Sequence, residues 1–209
     1  MPPAAGPVAE RDLSMSEQLR KREKLTAAIN HSPTADEIRR DPFAYLTYEH
    51  TVEERLCDLL EAIADALPDG VSPACAKVAV DYLQTRFLGH IALENDIVFP
   101  ALKAAQMASP SLGRAVKQAR QEHAADEETA AELIEALTGV AEYHETGNAN
   151  VLGYMLRGFF EQRRRHIVWE ESLLYPLAHD NFETRELEAL GKSILNYLMK
   201  SNRIVRVSG

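Results

Sequence analysis

Five of the seven histidines in this chain have a glutamate four residues further on: His50 with Glu54, His90 with Glu94, His123 with Glu127, His166 with Glu170 and His179 with Glu183. Two of these pairs are followed by a proline at one shared offset, Pro100 in HIALENDIVFP and Pro176 in HIVWEESLLYP. Residues four apart on an α-helix lie one turn apart on the same face. An imidazole and a carboxylate at that spacing can aim at one point from a rigid backbone, and both are ligands for first-row metals. Four such helices facing inward make a metal cage. The fifth pair is read differently. His179 and Glu183 lie in HDNFE, where Asp180 and Asn181 are turn or cap residues, so that spacing is coincidental. His31 and His144 have no glutamate at the fourth position and read as surface histidines.

The elements that must carry these residues are legible as helices. Long helical patterns run over about 42–67, 73–104, 110–145 and 148–178, separated by LPDG at 67–70, by SP at 109–110 and by TGNAN at 146–150. Before them, residues 1–12 are rich in proline and alanine and read as disordered, and SMSEQLRKREKLTAAIN reads as a polar helix with Ser14 and Glu17 at capping-box spacing. Thr34 and Glu37 repeat that signature before Asp41-Pro42 restarts the chain. A fifth helix near 184–200 carries Leu187, Leu190, Ile194 and Leu198, and no strand-like alternation of useful length occurs.

Phase tests whether the pairs point inward. Leu83, Phe87, His90, Glu94, Ile97 and Ala101 share one face of the second long helix, and Val116, Ala119, His123, Glu127, Ile134 and Leu137 one face of the third. On the fourth, Leu152, Met155, Phe159, His166, Glu170, Leu173 and Leu177 align. A polar pair thus interrupts an apolar stripe three times, which is costly unless the pair is partnered or ligated. On the first long helix, Phe43, Leu46, His50, Cys57 and Leu60 define the inner face, and Glu53 lies nearer its centre than Glu54, so either carboxylate is a candidate. His50 and His90 are 40 residues apart, His123 and His166 43, each pair bridging one helical hairpin. Two such hairpins about a pseudo-twofold axis bring four histidines to one level, the layout of a dinuclear carboxylate site in a four-helix bundle.

Bulk properties narrow the function classes. The chain has 209 residues, 45 % hydrophobic and 26 % charged, within the range of an ordinary globular protein with a sizeable core. A net charge of −9 argues against nucleic acid as a partner. No apolar run approaches the roughly 20 residues that span a bilayer. MPPAAGPVAERDL lacks the features of a secretory signal, which places the expected location in the cytoplasm. Cys57 and Cys75, with no CxxC, give neither a disulfide framework nor a zinc-finger signature.

Across residues 41–178 the pieces DPFAYLTYEH, HIALENDIVFPAL, QEHAADEE and RRRHIVWEESLLYPL resemble a hemerythrin-like (HHE cation-binding) domain. The resemblance implies an all-α, up-down four-helix bundle at 41–178; the partly disordered N-terminal helical extension at 1–40 and the C-terminal helix and tail at 179–209 lie outside it. It implies a non-haem di-iron centre of two iron ions (Fe2+/Fe3+), with Glu94 and Glu170 as bridging carboxylates and His50, His90, His123 and His166 as terminal ligands. Oxygen-carrying hemerythrins have a fifth histidine where this chain has Glu127, which makes Glu127 a candidate ligand. A carboxylate there gives a harder, more anionic site, suited to higher iron oxidation states, to manganese or to a mixed Mn/Fe pair. The functional expectation is a protein that binds and reacts with a small oxidant (O2, peroxide or nitric oxide), as an oxidase, an oxygenase or a detoxifying activity. The alternative is a non-catalytic oxygen or iron binder serving as sensor, store or iron donor.

Overall fold

The computed structural model describes residues 7–103, 107 and 109–201, with side chains from Ser14 onward. Seven helices account for nearly all of it: α1 Pro7–Ile29, α2 Ala35–Arg40, α3 Pro42–Asp65, α4 at 73–101, α5 Pro110–Tyr143, α6 at 149–179 and α7 Thr184–Lys200. No strand occurs among the described residues.

Local chemistry fixes where the bundle helices begin. Asp41 accepts from the backbone N–H of Ala44, Ser72 from that of Cys75 and Ser109 from that of Leu112, and each of these caps is followed by proline. Asn148 caps α6 through the N–H groups of Asn150 and Val151. A short polar side chain satisfies an orphan donor of the first turn, and proline needs no donor there. His144 ends α5 in the left-handed region at φ 58°, its N–H returning to the Gly139 carbonyl.

Helices α3 to α6 form the four-helix bundle, each packing on its neighbours in chain order and α6 closing back on α3. Two apolar clusters fill it. One holds Leu56, Leu60, Phe87, Leu133, Leu137, Leu152 and Phe159. The other holds Leu46, Leu93, Phe99, Val116, Leu174, Ile194 and Leu198. Every bundle helix crosses from one cluster to the other, and its histidine lies at the crossing: His50 lies between Leu46 and Leu56, and His90 between Phe87 and Leu93. The polar pairs therefore form a belt sealed on both sides by hydrocarbon.

The flanking segments are packed against this bundle. Helix α1 lies along α3, where its buried Gln18 donates to the Gly70 carbonyl at 2.9 Å and accepts from the Ser72 N–H at 2.9 Å, which clamps the α3–α4 turn. The helix begins at Pro7 rather than at Ser14, so Ser14 and Glu17 lie inside it and do not cap it. Residues 7–12 are thus helical where disorder was expected, since Val-Ala-Glu-Arg-Asp-Leu contains neither glycine nor proline to break a helix. Residues 1–6 of that stretch are outside the described residues. The capping box of Thr34 and Glu37 is present at α2. Helix α7 closes the structure against α2 and α3, and Gly191 allows the approach. A Cβ at Gly191 would stand 2.7 Å from the Ile38 carbonyl oxygen and 2.8 Å from the Arg39 Cα, both backbone atoms. Gly191→Ala is expected to destabilise the fold by about 1–3 kcal/mol through overpacking, read by urea unfolding.

Candidate metal centre

His50 on α3, His90 on α4, His123 on α5 and His166 on α6 reach the bundle axis together with Glu94 and Glu170, and all six are at most 1 % exposed. Ligand atoms of His50, His90, Glu94 and Glu170 lie within 4.8 Å of one another, as do those of His123, His166 and Glu170. Glu94 joins the second group as well, 3.3 Å from His123 Nε2. Glu170 touches both groups, with Oε2 3.1 Å from His50 Nε2 and Oε1 3.1 Å from His166 Nε2. Two histidine pairs therefore share two carboxylates.

Three of the four imidazoles are oriented from behind. His50 Nδ1 meets Glu171 Oε1 at 3.0 Å, His123 Nδ1 meets Asn95 Oδ1 at 3.2 Å and His166 Nδ1 meets Glu122 Oε2 at 2.6 Å. Such a contact fixes the ring and directs Nε2 at the common centre. Despite their closeness, the inward atoms lack hydrogen-bonding geometry. His90 Nε2, His123 Nε2, His166 Nε2, Glu94 Oε2 and both Glu170 oxygens are buried without a hydrogen-bond partner. Orphan polar atoms at this density are rare in native cores. They fit a cation that takes nitrogen and oxygen donors together.

The electrostatics agree. Burial raises the pKa of Glu170, but His166 and His50 outweigh it and hold the carboxyl well below its usual range. Glu94 is lowered too, with His90 and His123 overcoming burial and the neighbouring Glu170. Burial disfavours the charged form of His50, yet Glu170 and Glu171 lift its pKa to about 10. For His90 burial prevails and the pKa falls.

Beside the belt lies a second ionic group. Arg163 is fully buried, donating from Nε to Glu53 Oε1 at 2.5 Å and from Nη1 to Asp126 Oδ2 at 2.6 Å, with its guanidinium 5.1 Å from the Phe87 ring centroid. This arrangement corrects two expectations. Glu127 is exposed, and Asp126, one residue earlier, is the buried carboxylate of that helix. Of the two candidates on α3, Glu54 is exposed and Glu53 is buried, but Glu53 is engaged by Arg163. Both inward carboxylates stand three residues after their histidine rather than four, because the cation that neutralises them is on that side. Arg163 had a readable signal: it falls between Phe159 and His166 on the inner stripe of α6, where no apolar residue fills the gap.

Phase also slips downstream of each inward glutamate. On α4 the buried residues after Glu94 are Val98, Phe99 and Leu102, while Ala101 is exposed and Ile97 only half-buried. On α6 they are Leu174, Tyr175 and Ala178, while Leu173 is exposed. Both slips coincide with π-helical turns, Glu94–Val98 and Glu170–Leu174, in which the N–H of Phe99 returns to Glu94 and that of Tyr175 to Glu170. The shared prolines supply the reason. Pro100 and Pro176 have no N–H, and their rings would clash with the carbonyl four residues back in a regular helix. One extra residue in the turn relieves the clash and rotates the following side chains inward. Phe99 consequently stacks on His123, centroids 5.7 Å apart, and Tyr175 on His50 at 5.3 Å. The Tyr175 hydroxyl donates to Glu94 Oε1 at 2.6 Å and lies 3.1 Å from His50 Nε2.

The model of the hemerythrin HHE cation binding domain matches residues 41–178. The chain belongs to the hemerythrin family. The match covers the bundle α3 to α6, whose buried His/Glu group could hold a metal, and ends within the last turn of α6. No curated protein and no solved structure matches the chain. Among the described residues no helix is long and apolar enough to cross a membrane.

Two substitutions separate the belt from its surroundings. Glu127→Ala is expected to leave metal content unchanged, as measured by elemental analysis. Arg163→Met should destabilise the fold by about 3–5 kcal/mol, because two buried carboxylates lose their cation, and adding Glu53→Gln and Asp126→Asn should recover part of that loss in urea unfolding.

Proposed function

We propose that this hemerythrin-family chain is a non-haem di-iron protein that binds and reacts with a small oxidant: O2, peroxide or nitric oxide. The observation that carries the reading is the set of inward imidazole nitrogens and carboxylate oxygens on α4, α5 and α6, buried and without hydrogen-bond partners, which His50 of α3 joins around two shared glutamates. His50 and His90 would hold one ion, His123 and His166 the other, with Glu94 and Glu170 spanning both. Iron in such a nitrogen/oxygen set supplies Lewis acidity and one-electron redox chemistry to a bound diatomic or peroxide.

The chain's own residues do the rest. Glu171, Asn95 and Glu122 hold His50, His123 and His166 in orientation. Phe99 and Tyr175 lie flat against His123 and His50 and limit how far those rings can turn. Phe87 and Phe159, edge to face at 5.3 Å, belong to the cluster that closes the belt from the Arg163 side and excludes water there. Tyr175 places a hydroxyl proton at Glu94 Oε1, inside the belt.

The reading is tested by metal content and stability together. About two irons per chain are expected after aerobic purification, falling to one or none in His90→Ala and His166→Ala. Since a bound ion draws α3 to α6 together, chelator-treated protein should melt several degrees lower than the loaded form. Mixing the reduced protein with O2 in a stopped-flow spectrometer should give an iron-dependent absorbance change. Full metal content in both histidine variants, or equal melting of the two forms, would refute a core site.

A further inference from the structure

The two hairpins place matching residues in the belt, and one of the matched positions where they differ lies against the ligand rings. Five residues after Glu94 stands Phe99, against His123; five residues after Glu170 stands Tyr175, against His50. In a regular helix a residue five on would point about 140° away from its glutamate. The π turns bring both rings into the belt instead. One half therefore presents a hydrocarbon ring and the other a hydroxyl.

We infer that Tyr175 is itself a ligand, a phenolate oxygen on the ion held by His50 and His90. The geometry supports coordination rather than a bystander contact. Its oxygen lies 3.1 Å from His50 Nε2 and 2.6 Å from Glu94 Oε1, on two residues whose ligand atoms stand within 4.8 Å of each other. Donors about 2.1 Å from a shared octahedral ion stand roughly 3 Å apart when adjacent, so the hydroxyl already occupies the place of a neighbouring ligand. Tyr175 is 5 % exposed, and its ring is held parallel to His50 with an interplanar angle of 8°, so the oxygen has little freedom to leave that place.

The assignment also accounts for the missing fifth histidine. An anionic oxygen donor does take part, but it comes from α6 rather than from Glu127 on α5. When the O–metal bond forms, the phenolic O–H bond breaks and the proton passes to solvent, as metal binding displaces protons from its donors. The half facing Phe99 gains no such donor, so the two ions are unequal, and the ion held by His123 and His166 keeps the more open coordination.

This inference rests on the di-iron reading above, and the experiment separates the two. Wild type and Tyr175→Phe are purified aerobically, iron content is measured, and visible absorption and resonance Raman spectra are recorded on the ferric proteins. Wild type should show a phenolate-to-iron charge-transfer band in the visible and enhanced phenolate ring modes. Tyr175→Phe should lose both while keeping about two irons per chain. Loaded wild type without the band, or a variant that retains it, overturns the Tyr175 assignment and leaves the di-iron reading intact. A variant that loses the band together with all its iron calls for Phe99→Tyr, which should add a second phenolate signature; its failure to do so overturns the assignment. Wild type without iron overturns the di-iron reading, and the Tyr175 assignment with it.

Discussion

Six ionisable side chains buried in one belt, between two hydrocarbon clusters, are the constraint on which the rest of the bundle depends. Desolvating a carboxylate or an imidazolium costs several kcal/mol, and close partners offset this only when their geometry satisfies every donor and acceptor. Here it does not, since the inward nitrogens and oxygens approach to 3.1–3.8 Å without forming hydrogen bonds. Metal ions at the centre would resolve the conflict by giving the inward orphan atoms partners. The outer contacts are arranged for that outcome: Glu171, Asn95 and Glu122 take the Nδ1 side of three rings and leave Nε2 facing inward.

Much of this was legible in the sequence because the signals repeat. Four helices and the inward phase of His50, His90, His123 and His166 follow from periodicity, from Asp41-Pro42 and from the breaks at LPDG, Ser109-Pro110 and TGNAN. Glu94 and Glu170 were legible because each occupies the fourth position in a block that recurs with its proline. What did not follow was anything that depends on tertiary neighbours. Glu127 and Asp126 lie on either side of the inward direction of α5, so periodicity alone does not choose between them. Arg163, on another helix, engages Asp126, whereas on α3 phase already favoured Glu53, which Arg163 also bonds.

The prolines were visible, but their consequence was not. Read as stop signals, Pro100 and Pro176 mark the ends of two helices. In the structure they sit just beyond π turns and change the phase of what precedes them. A stripe extrapolated at 3.6 residues per turn buries Ala101 and Leu173, whereas the chain buries Leu102 and Leu174. The same one-residue slip moves Tyr175 from the surface to the belt. A local backbone rule about a missing N–H thus decides which side chains meet the site.

The matching spacing of the two hairpins gives the site its shape, and departures from it give the site its direction. The spacing matches His50 with His123, His90 with His166 and Glu53 with Asp126, and these pairs keep their chemistry. It also relates Phe87 to Arg163 and Phe99 to Tyr175, and there the chemistry changes. Arg163 lies over Phe87, so one guanidinium serves both halves by bonding Glu53 and Asp126 at once. Glu122 orients His166, while its counterpart Glu49 is paired with Arg86 at 2.6 Å and His90 Nδ1 lacks a hydrogen-bond partner. His90 is thus the least constrained of the four rings, on the same half that holds Tyr175. A repeated scaffold with unequal halves thus presents different donors on its two sides.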